Sequence, residues 1–296
     1  WGRDEFNPLE TDVLIVDEMS MVDIFLFERL LKAITVGTRL ILVGDVNQLP
    51  SVGPGNVLKD IIASHMFNVV NLTTIFRQAK KSDIVMNAHR INDGEPIALD
   101  NKSEDFFCIR RGNAADTLEM MLSVVKKRLP EYLSVDPNDI QVLVPMKKGE
   151  LGTYRCNEIR QRHINPPSPD KNEIKRGDSI FREGDKVMQI KNNYQIKYEI
   201  RGYKGAVLEE GNGVFNGDIG VIHTIDTSLK DITIKFDDEK YVVYQYSNLD
   251  ELELAYAITI HKSQGSEYTA VVLPLLGGPK PLMTRNILYT AVTRAK

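Results

Sequence analysis

Val13-Leu14-Ile15-Val16-Asp17-Glu18 and Arg39-Leu40-Ile41-Leu42-Val43-Gly44-Asp45 are the two stretches on which the fold turns. Each carries an unbroken, β-branched-rich apolar run and closes on an acidic residue, the pattern of a buried parallel strand whose carboxyl end faces a ligand. Between them Ile24, Phe25, Phe27, Leu30, Leu31 and Ile34 recur at helical spacing, so the segment reads as strand, helix, strand. One βαβ unit of this kind places the chain in the α/β class.

The same rhythm returns further on. Residues 106–109 and 140–144 read as strands around a helix over 114–128 that carries Leu118, Met121, Leu122 and Val125 on one face, and so imply a second parallel sheet. Asn165-Pro166-Pro167-Ser168-Pro169 stops any helix. Beyond it, residues 186–189, 219–225, 232–236 and 240–244 are short alternating segments parted by Gly-Asp or Asp-Asp turns, which predicts a small β-barrel inserted into the second α/β domain. Residues 195–213, rich in glycine and charge, are expected to form a mobile hairpin loop. Long apolar strands resume over 252–260 and 269–273, and 286–294 reads as a helix.

Composition bounds the function. The 296 residues suggest two domains, and 42% apolar with 26% charged content excludes disordered, collagen-like or low-complexity chains. Lys plus Arg is 37 against 41 for Asp plus Glu, a formal charge of −4, so any polyanion must be met by a local groove rather than by a basic body. Cys108 and Cys156 lie far apart and the histidines are scattered, which predicts a reduced, cytoplasmic chain with no dedicated metal cage. The longest apolar runs, such as 271–276, fall well short of the ~20 residues a membrane helix needs. A start at Trp1 with no charged-then-apolar leader reads as a cut end, and the chain as a fragment.

Several positions carry chemistry. Asp17-Glu18 sets two carboxylates at a strand end, where P-loop NTPases hold Mg²⁺ and orient water, although an isolated pair is more often a solvated turn. Gly44-Asp45-Val46-Asn47-Gln48-Leu49-Pro50 ends the neighbouring strand, at the same sheet edge. Gly53-Pro54-Gly55 after it is no phosphate cradle, because no Gly-Lys-Ser/Thr follows. Arg77, in Phe76-Arg77-Gln78, stands at the join of the two α/β regions, suited either to phosphate or to an interdomain salt bridge. Thr259-Ile260-His261-Lys262-Ser263-Gln264-Gly265-Ser266-Glu267-Tyr268 is a donor-rich loop fit for phosphate oxygens, and Arg294 closes the last helix.

Taken in order, Asp17 to Ser20, Gly44 to Pro50, Phe76 to Gln78, His261 to Tyr268 and Tyr289 to Arg294 resemble motifs II, III, IV, V and VI of superfamily 1 helicases, and of its RecD-like branch in particular. Val144-Pro145-Met146-Lys147-Lys148-Gly149, Gly184 to Gln189, Asn192-Asn193-Tyr194 and Val214 to Asp218 are similar to that branch as well. The resemblance implies two RecA-like P-loop NTPase-type domains, the first truncated, with an SH3-like β-barrel inserted in the second. On this basis residues 1–76 are the end of the first motor domain, 77–170 and 251–296 the second, and 171–250 the insert. It further implies ATP in a cleft between the lobes, single-stranded DNA or a duplex junction across both, 5′ to 3′ movement, and nuclease-complex subunits as candidate partners.

Carried over position by position, Asp17 would hold Mg²⁺, Glu18 activate water, Gln48 sense the γ-phosphate, and Arg77 and Arg294 serve as arginine fingers. Asp45, Gln78, Gly265 and Glu267 would line the nucleotide, and Pro145, Lys147, Asn192, Asn193, Thr259, His261, Lys262 and Ser263 would meet DNA. One departure is plain: no Gly-Lys-Thr or Gly-Lys-Ser occurs in the 296 residues, so the loop that cradles phosphates is missing, and truncation is the simpler account. The alternatives are a non-catalytic DNA-binding or subunit-docking module, and the helicase part of a conjugative relaxase.

Overall fold

The computed structural model describes residues 2–72, 82–279 and 282–296. In it β1 (Val13–Val16) and β2 (Arg39–Leu42) pair in parallel, Val13 opposite Arg39 and Val16 opposite Leu42. Helix α1 (Ile24–Lys32) lies between them in sequence. It begins where the Asp23 carboxylate accepts the Leu26 amide at 2.7 Å, the capping bond that a helix start otherwise lacks. The Gly53-Pro54-Gly55 turn closes over this cap: Ile24 N donates to the Pro54 carbonyl, and a Cβ on Gly53 would collide with the Asp23 side chain. Helices α2 (Val57–Ala63) and α3 (Asp83–Asp93) follow. α3 is opened by Ser82 and ended by Gly94 at φ 75°, a left-handed stop that favours glycine.

Next come α4 (Ala114–Ser123), a π-helical turn over Val124–Arg128, α5 (Leu129–Leu133), β3 (Ile140–Val144) and α6 (Thr153–Ile164). The β-rich stretch comprises β4 (Glu173–Arg176), β5 (Ser179–Arg182), β6 (Lys186–Gln189), β7 (Asn193–Arg201), β8 (Val207–Val214), β9 (Ile219–Asp226), β10 (Asp231–Phe236) and β11 (Lys240–Gln245). The chain ends through β12 (Leu252–Leu254), β13 (Ala257–Thr259), β14 (Ala270–Val272) and α7 (Arg285–Val292). Two compact units result: Trp1–Ile109 with Pro279–Thr293, and Arg110–Gly278 with Arg294–Lys296.

In the first unit, Met19, Val22, Val57 and Leu58 form a small core under one face of the β1–β2 pair. The other face is open. Val13, Ile15 and Ile41 are exposed there, Ile15 to 63%, so these strands are not buried on both sides as their unbroken apolar pattern predicts. Among the described residues nothing is layered on that face. A second cluster packs Ala88 and Ile91 of α3 against Val292 of α7. Residues 106–109 form no strand, contrary to expectation: Phe106 packs into this helical cluster while Phe107 and Ile109 stay exposed, so the apolar residues are used as helix contacts rather than as a ladder.

In the second unit β3 is central, flanked in parallel by β13 and β14, and all five of its residues are buried. The expected strand over 252–260 is two strands. β12 pairs with β6 of the insert and β13 with β3, and Ala255 and Tyr256, fully buried, carry the chain from one sheet to the other. That crossing explains why Leu254 to Ile258 is apolar without a break. Its backbone is satisfied by side chains: Asn157 Nδ2 donates to the Leu254 and Ala257 carbonyls at 2.9 Å, and Gln141 Nε2 to Ala255 at 3.1 Å.

The insert is a seven-stranded sheet, order β12-β6-β9-β10-β11-β7-β8, around Val187, Ile222, Ile232, Ile234, Val242 and Tyr244. Every pairing is antiparallel, and among the described residues no ladder joins β12 to β8, so the sheet is not a closed barrel. Residues 195–213, expected as a mobile hairpin loop, are mostly the strand-paired β7–β8 hairpin, with Lys204 at φ 57° in its turn. Buried Asp185 locks the insert to α6 and to the crossing: it accepts from Gln161 Nε2 (2.5 Å), Asn165 Nδ2 (2.7 Å), Arg182 N (2.7 Å) and Tyr256 OH (2.9 Å). A buried carboxylate so completely bonded rigidifies rather than weakens its surroundings.

Candidate functional site

Asp17 and Glu18 follow β1 directly. The Asp17 carboxylate accepts the Glu18 amide at 2.7 Å, which tightens the turn and leaves Glu18 at φ 53°, ψ 39°, a left-handed conformation unfavourable for a residue with a Cβ. Strain of this kind persists only where the surroundings impose it, and it gathers at functional sites. The surroundings here are Met19, fully buried, whose amide donates to the Val43 carbonyl at 3.0 Å. Gly44 lies against this turn so closely that a Cβ would stand 2.9 Å from Met19 N and 3.2 Å from Ser20 N. Glycine therefore lets the ends of β1 and β2 meet, and brings the acid pair beside Gly44-Asp45.

Asp45 accepts from Asn47 N at 2.9 Å and from the Tyr289 hydroxyl at 2.7 Å, so both its carboxylate oxygens are engaged. Gln48 N donates to the Asp45 carbonyl, while Gln48 Oε1 is buried without a hydrogen-bond partner among the described residues. Ser20 Oγ is orphaned in the same way. Buried polar atoms are almost always paired, so two orphans in these adjoining loops point to a ligand. Among the described residues no group of three His, Cys, Asp or Glu could hold a metal alone. A lone Asp17 fits Mg²⁺ that takes its other oxygens from phosphates and water.

In the second unit, Arg294 is 6% exposed, yet its only side-chain hydrogen bond among the described residues runs from Nη1 to the Ser266 carbonyl at 3.1 Å, and Nε has none. No carboxylate pairs with it among the described residues. Its backbone carbonyl accepts from Tyr268 N, which ties the chain end to the Gly265-Ser266-Glu267 segment, where Gly265 has φ 75° and Glu267 pairs with Lys296 at 3.2 Å. A buried guanidinium without an anion is costly unless one arrives. Arg77 and Gln78 lie outside the described residues.

The residues expected to meet nucleic acid fall into two kinds. Lys147, just past β3 and Pro145, and Lys262 both line a cleft of about 1030 Å³ with Lys148, Arg155 and Arg162. Glu253 of β12 divides them, Oε1 to Lys147 Nζ and Oε2 to Lys262 Nζ, each at 3.0 Å. Burial pushes the Glu253 carboxyl up, but the bonds and charges of Lys262 and Lys147 outweigh it and hold the pKa below its usual value. His261 is half-buried, and desolvation lowers its pKa, favouring the neutral ring. Thr259 and Ser263 are instead spent on the turn: Thr259 Oγ1 accepts Lys262 N, and Ser263, fully buried, donates to the Ile260 carbonyl at 2.8 Å.

On the insert, Asn193 is likewise internal, donating to Glu251 and accepting from the Gln195 and Ile196 amides. Asn192 is exposed and accepts Asn216 N, which draws together Tyr194 and Phe215, exposed rings in edge contact with centroids 5.5 Å apart. Glu253 and the Asn286–Tyr289–Thr290 face of α7 were not singled out from sequence. A lone acid within Leu252-Glu253-Leu254, and polar residues at i, i+3 and i+4, are the signals that would have found them.

Three families match in succession: residues 3–111 an AAA domain, 156–236 the SH3 domain of ATP-dependent RecD-like DNA helicases, and 254–296 the UvrD-like helicase C-terminal domain. The chain is 32% identical over 294 residues to the ATP-dependent RecD2 DNA helicase of Deinococcus radiodurans, covering 99% of this chain and 36% of that protein. It is 29% identical over 313 residues to the RecBCD enzyme subunit RecD of Mycobacterium tuberculosis, covering 99% of this chain and 50% of that one. The chain thus spans between about a third and a half of these relatives. Its fold is similar to that of Pif1 helicase from Bacteroides in complex with ADP-AlF3 and ssDNA, with a TM-score of 0.54 at 18% identity, covering 97% of this chain and 69% of that one. Pif1 helicase from Candida albicans aligns with a TM-score of 0.52 at 19% identity, over 97% and 70%.

Proposed function

We propose that this chain, which belongs to the RecD-like helicases over nearly its whole length, is part of the motor core of an ATP-dependent 5′ to 3′ DNA helicase of superfamily 1B, working in recombination or repair. The observation that carries it is the contact of the two strand-end turns, Asp17-Glu18-Met19 against Gly44-Asp45, made possible by a glycine at 44. It puts a carboxylate for Mg²⁺, a second carboxylate for water and the Gln48 loop at one sheet edge. The open apolar face of β1 and β2 supports a first motor domain with further layers.

In this proposal Asp17 contributes one ligand to Mg²⁺ bound with ATP, and the metal when bound neutralises charge on the phosphates. Glu18 orients and deprotonates the attacking water, and Gln48 hydrogen-bonds the terminal phosphate. Arg294 and Arg77 supply fixed positive charge to the transition state, a contribution of roughly 10³ to 10⁵ in rate for an arginine finger. Lys147 and Lys262 track the DNA backbone, and Tyr194 and Phe215 offer ring faces to unstacked bases. Assembly with nuclease subunits is a finer proposal, suggested by relatives named as RecBCD subunits.

ATP turnover of the protein carrying this chain is to be measured with and without an oligonucleotide for wild type, Glu18→Gln and Arg77→Ala. Stimulated turnover that collapses in both variants is expected, and full turnover in both would overturn the assignment. Unwinding of a 3′-tailed but not a 5′-tailed duplex would overturn the polarity.

A further inference from the structure

Helix α7 is fastened along one face to the loop that holds Gln48. Asn286, Tyr289 and Thr290, spaced i, i+3 and i+4, project from the same side. Asn286 Nδ2 donates to the carbonyls of Asn47 (2.9 Å) and Gln48 (3.2 Å), the Tyr289 hydroxyl donates to Asp45 Oδ2 (2.7 Å), and Thr290 Oγ1 accepts the Leu49 amide (2.9 Å). Leu49 and Thr290 are buried, so that last bond is shielded from water. Val292 and Leu288 meanwhile pack α7 onto Ala88 and Ile91 of α3, which makes the helix a firm support.

The clasp grips backbone atoms on either side of Gln48, and the carboxylate before it, but leaves the Gln48 amide alone. Its Oε1 is buried without a partner among the described residues, an acceptor left for a donor such as the attacking water, while Nε2 is the group that can donate to a phosphate oxygen. We propose that Asn286, Tyr289 and Thr290 are positioning residues for Gln48, setting the backbone from Asp45 to Leu49 so that the carboxamide is held ready for the terminal phosphate. The inference rests on the reading of Gln48 as a phosphate-sensing group. Alignment is where such residues act: a displacement of about 1 Å at a reacting centre lowers rate on the order of 10²-fold, while leaving ground-state binding largely intact.

The test uses the protein carrying this chain, with DNA-stimulated ATP turnover measured for Gln48→Ala, Tyr289→Phe, Thr290→Val, Thr290→Ser and the Tyr289→Phe/Thr290→Val pair. Amide hydrogen exchange at Leu49 is followed in the same samples. Each lost bond is expected to lower kcat by up to about tenfold, with the KM for ATP within about twofold of wild type. Thr290→Ser, which keeps the acceptor, is expected to restore turnover, and Leu49 exchange to quicken only where that acceptor is gone. Gln48→Ala with full turnover would sink the phosphate-sensing reading and this inference with it. A crippled Gln48→Ala beside a paired variant with unchanged kcat would overturn the positioning role alone. So would losses that appear equally in kcat, KM and thermal stability, which mark a merely structural clasp.

Discussion

Glu253 and Lys262 stand 3.0 Å apart, and the second oxygen of the same carboxylate is 3.0 Å from Lys147, so one acid holds two lysines that line the same cleft. The lysines are thereby kept in place and partly neutralised. Replacing Glu253 by Gln is expected to free both for phosphate, tightening single-stranded DNA binding several-fold and steepening the dependence of log K on log salt by about 0.7 per added phosphate contact. Fluorescence titration across a salt series measures both. Weaker binding with an unchanged slope would show that the lysines do not reach DNA. Because the folded Glu253 pKa is lowered, its contribution to stability is present above the ordinary value near 4.5 and is lost as pH falls through the folded value.

Arg294 is buried, and among the described residues its side chain has one carbonyl for a partner. Exchange for Met keeps most of its unbranched apolar stem and removes the uncompensated charge, so Arg294→Met is expected to leave unfolding free energy unchanged or raise it by about 1 kcal/mol, while turnover falls by a factor on the order of 10³. Urea denaturation alongside an ATPase assay decides it. A marked drop in stability would mean that the guanidinium serves the fold.

Glu18 carries the left-handed backbone of the acid turn. Glycine adopts that conformation without strain, so Glu18→Gly is expected to be more stable than Glu18→Ala by about 1 kcal/mol although both lose the water-activating carboxylate. Comparison of the two midpoints in chemical denaturation checks this. Equal midpoints would place the turn outside the left-handed region.

His261 has its pKa lowered by burial below the ordinary 6.5. The unfolded chain then binds a proton that the folded one resists, so stability rises with pH between the folded value and about 6.5 and falls as pH drops through that window. His261→Gln is expected to flatten this part of the stability curve. A wild-type curve without the slope, in denaturant titrations from pH 7 downward, would rule out a desolvated ring.

Much of this molecule could be read from local pattern. The paired runs at residues 13 and 39 became β1 and β2, residues 140–144 became β3, and the alternating segments after the proline cluster became the insert's strands. Periodicity reports which faces are apolar, and these segments form the expected strands, although one apolar face of β1 and β2 stays exposed. Residues 106–109 misled because a short apolar run packs as readily onto helices as into a ladder, and residues 252–260 because a strand that changes sheets looks like one that stays. The glycines and charges of 195–213 suggested a hairpin but made it read as a mobile loop, although the backbone pairs throughout much of it.

The order and spacing of the chemistry-bearing residues, from Asp17 to Arg294, were determined by the sequence alone, because side-chain chemistry and strand ends are local properties. Which of them are free to act was decided by tertiary structure. Ser263 and Asn193 are committed to internal bonds, Lys147 and Lys262 share an acid from a strand about a hundred residues beyond Lys147, and Gln48 is bracketed by a helix that begins 237 positions beyond it. Hydrogen bonds and burial depend on what arrives from distant parts of the chain, and no local pattern records that.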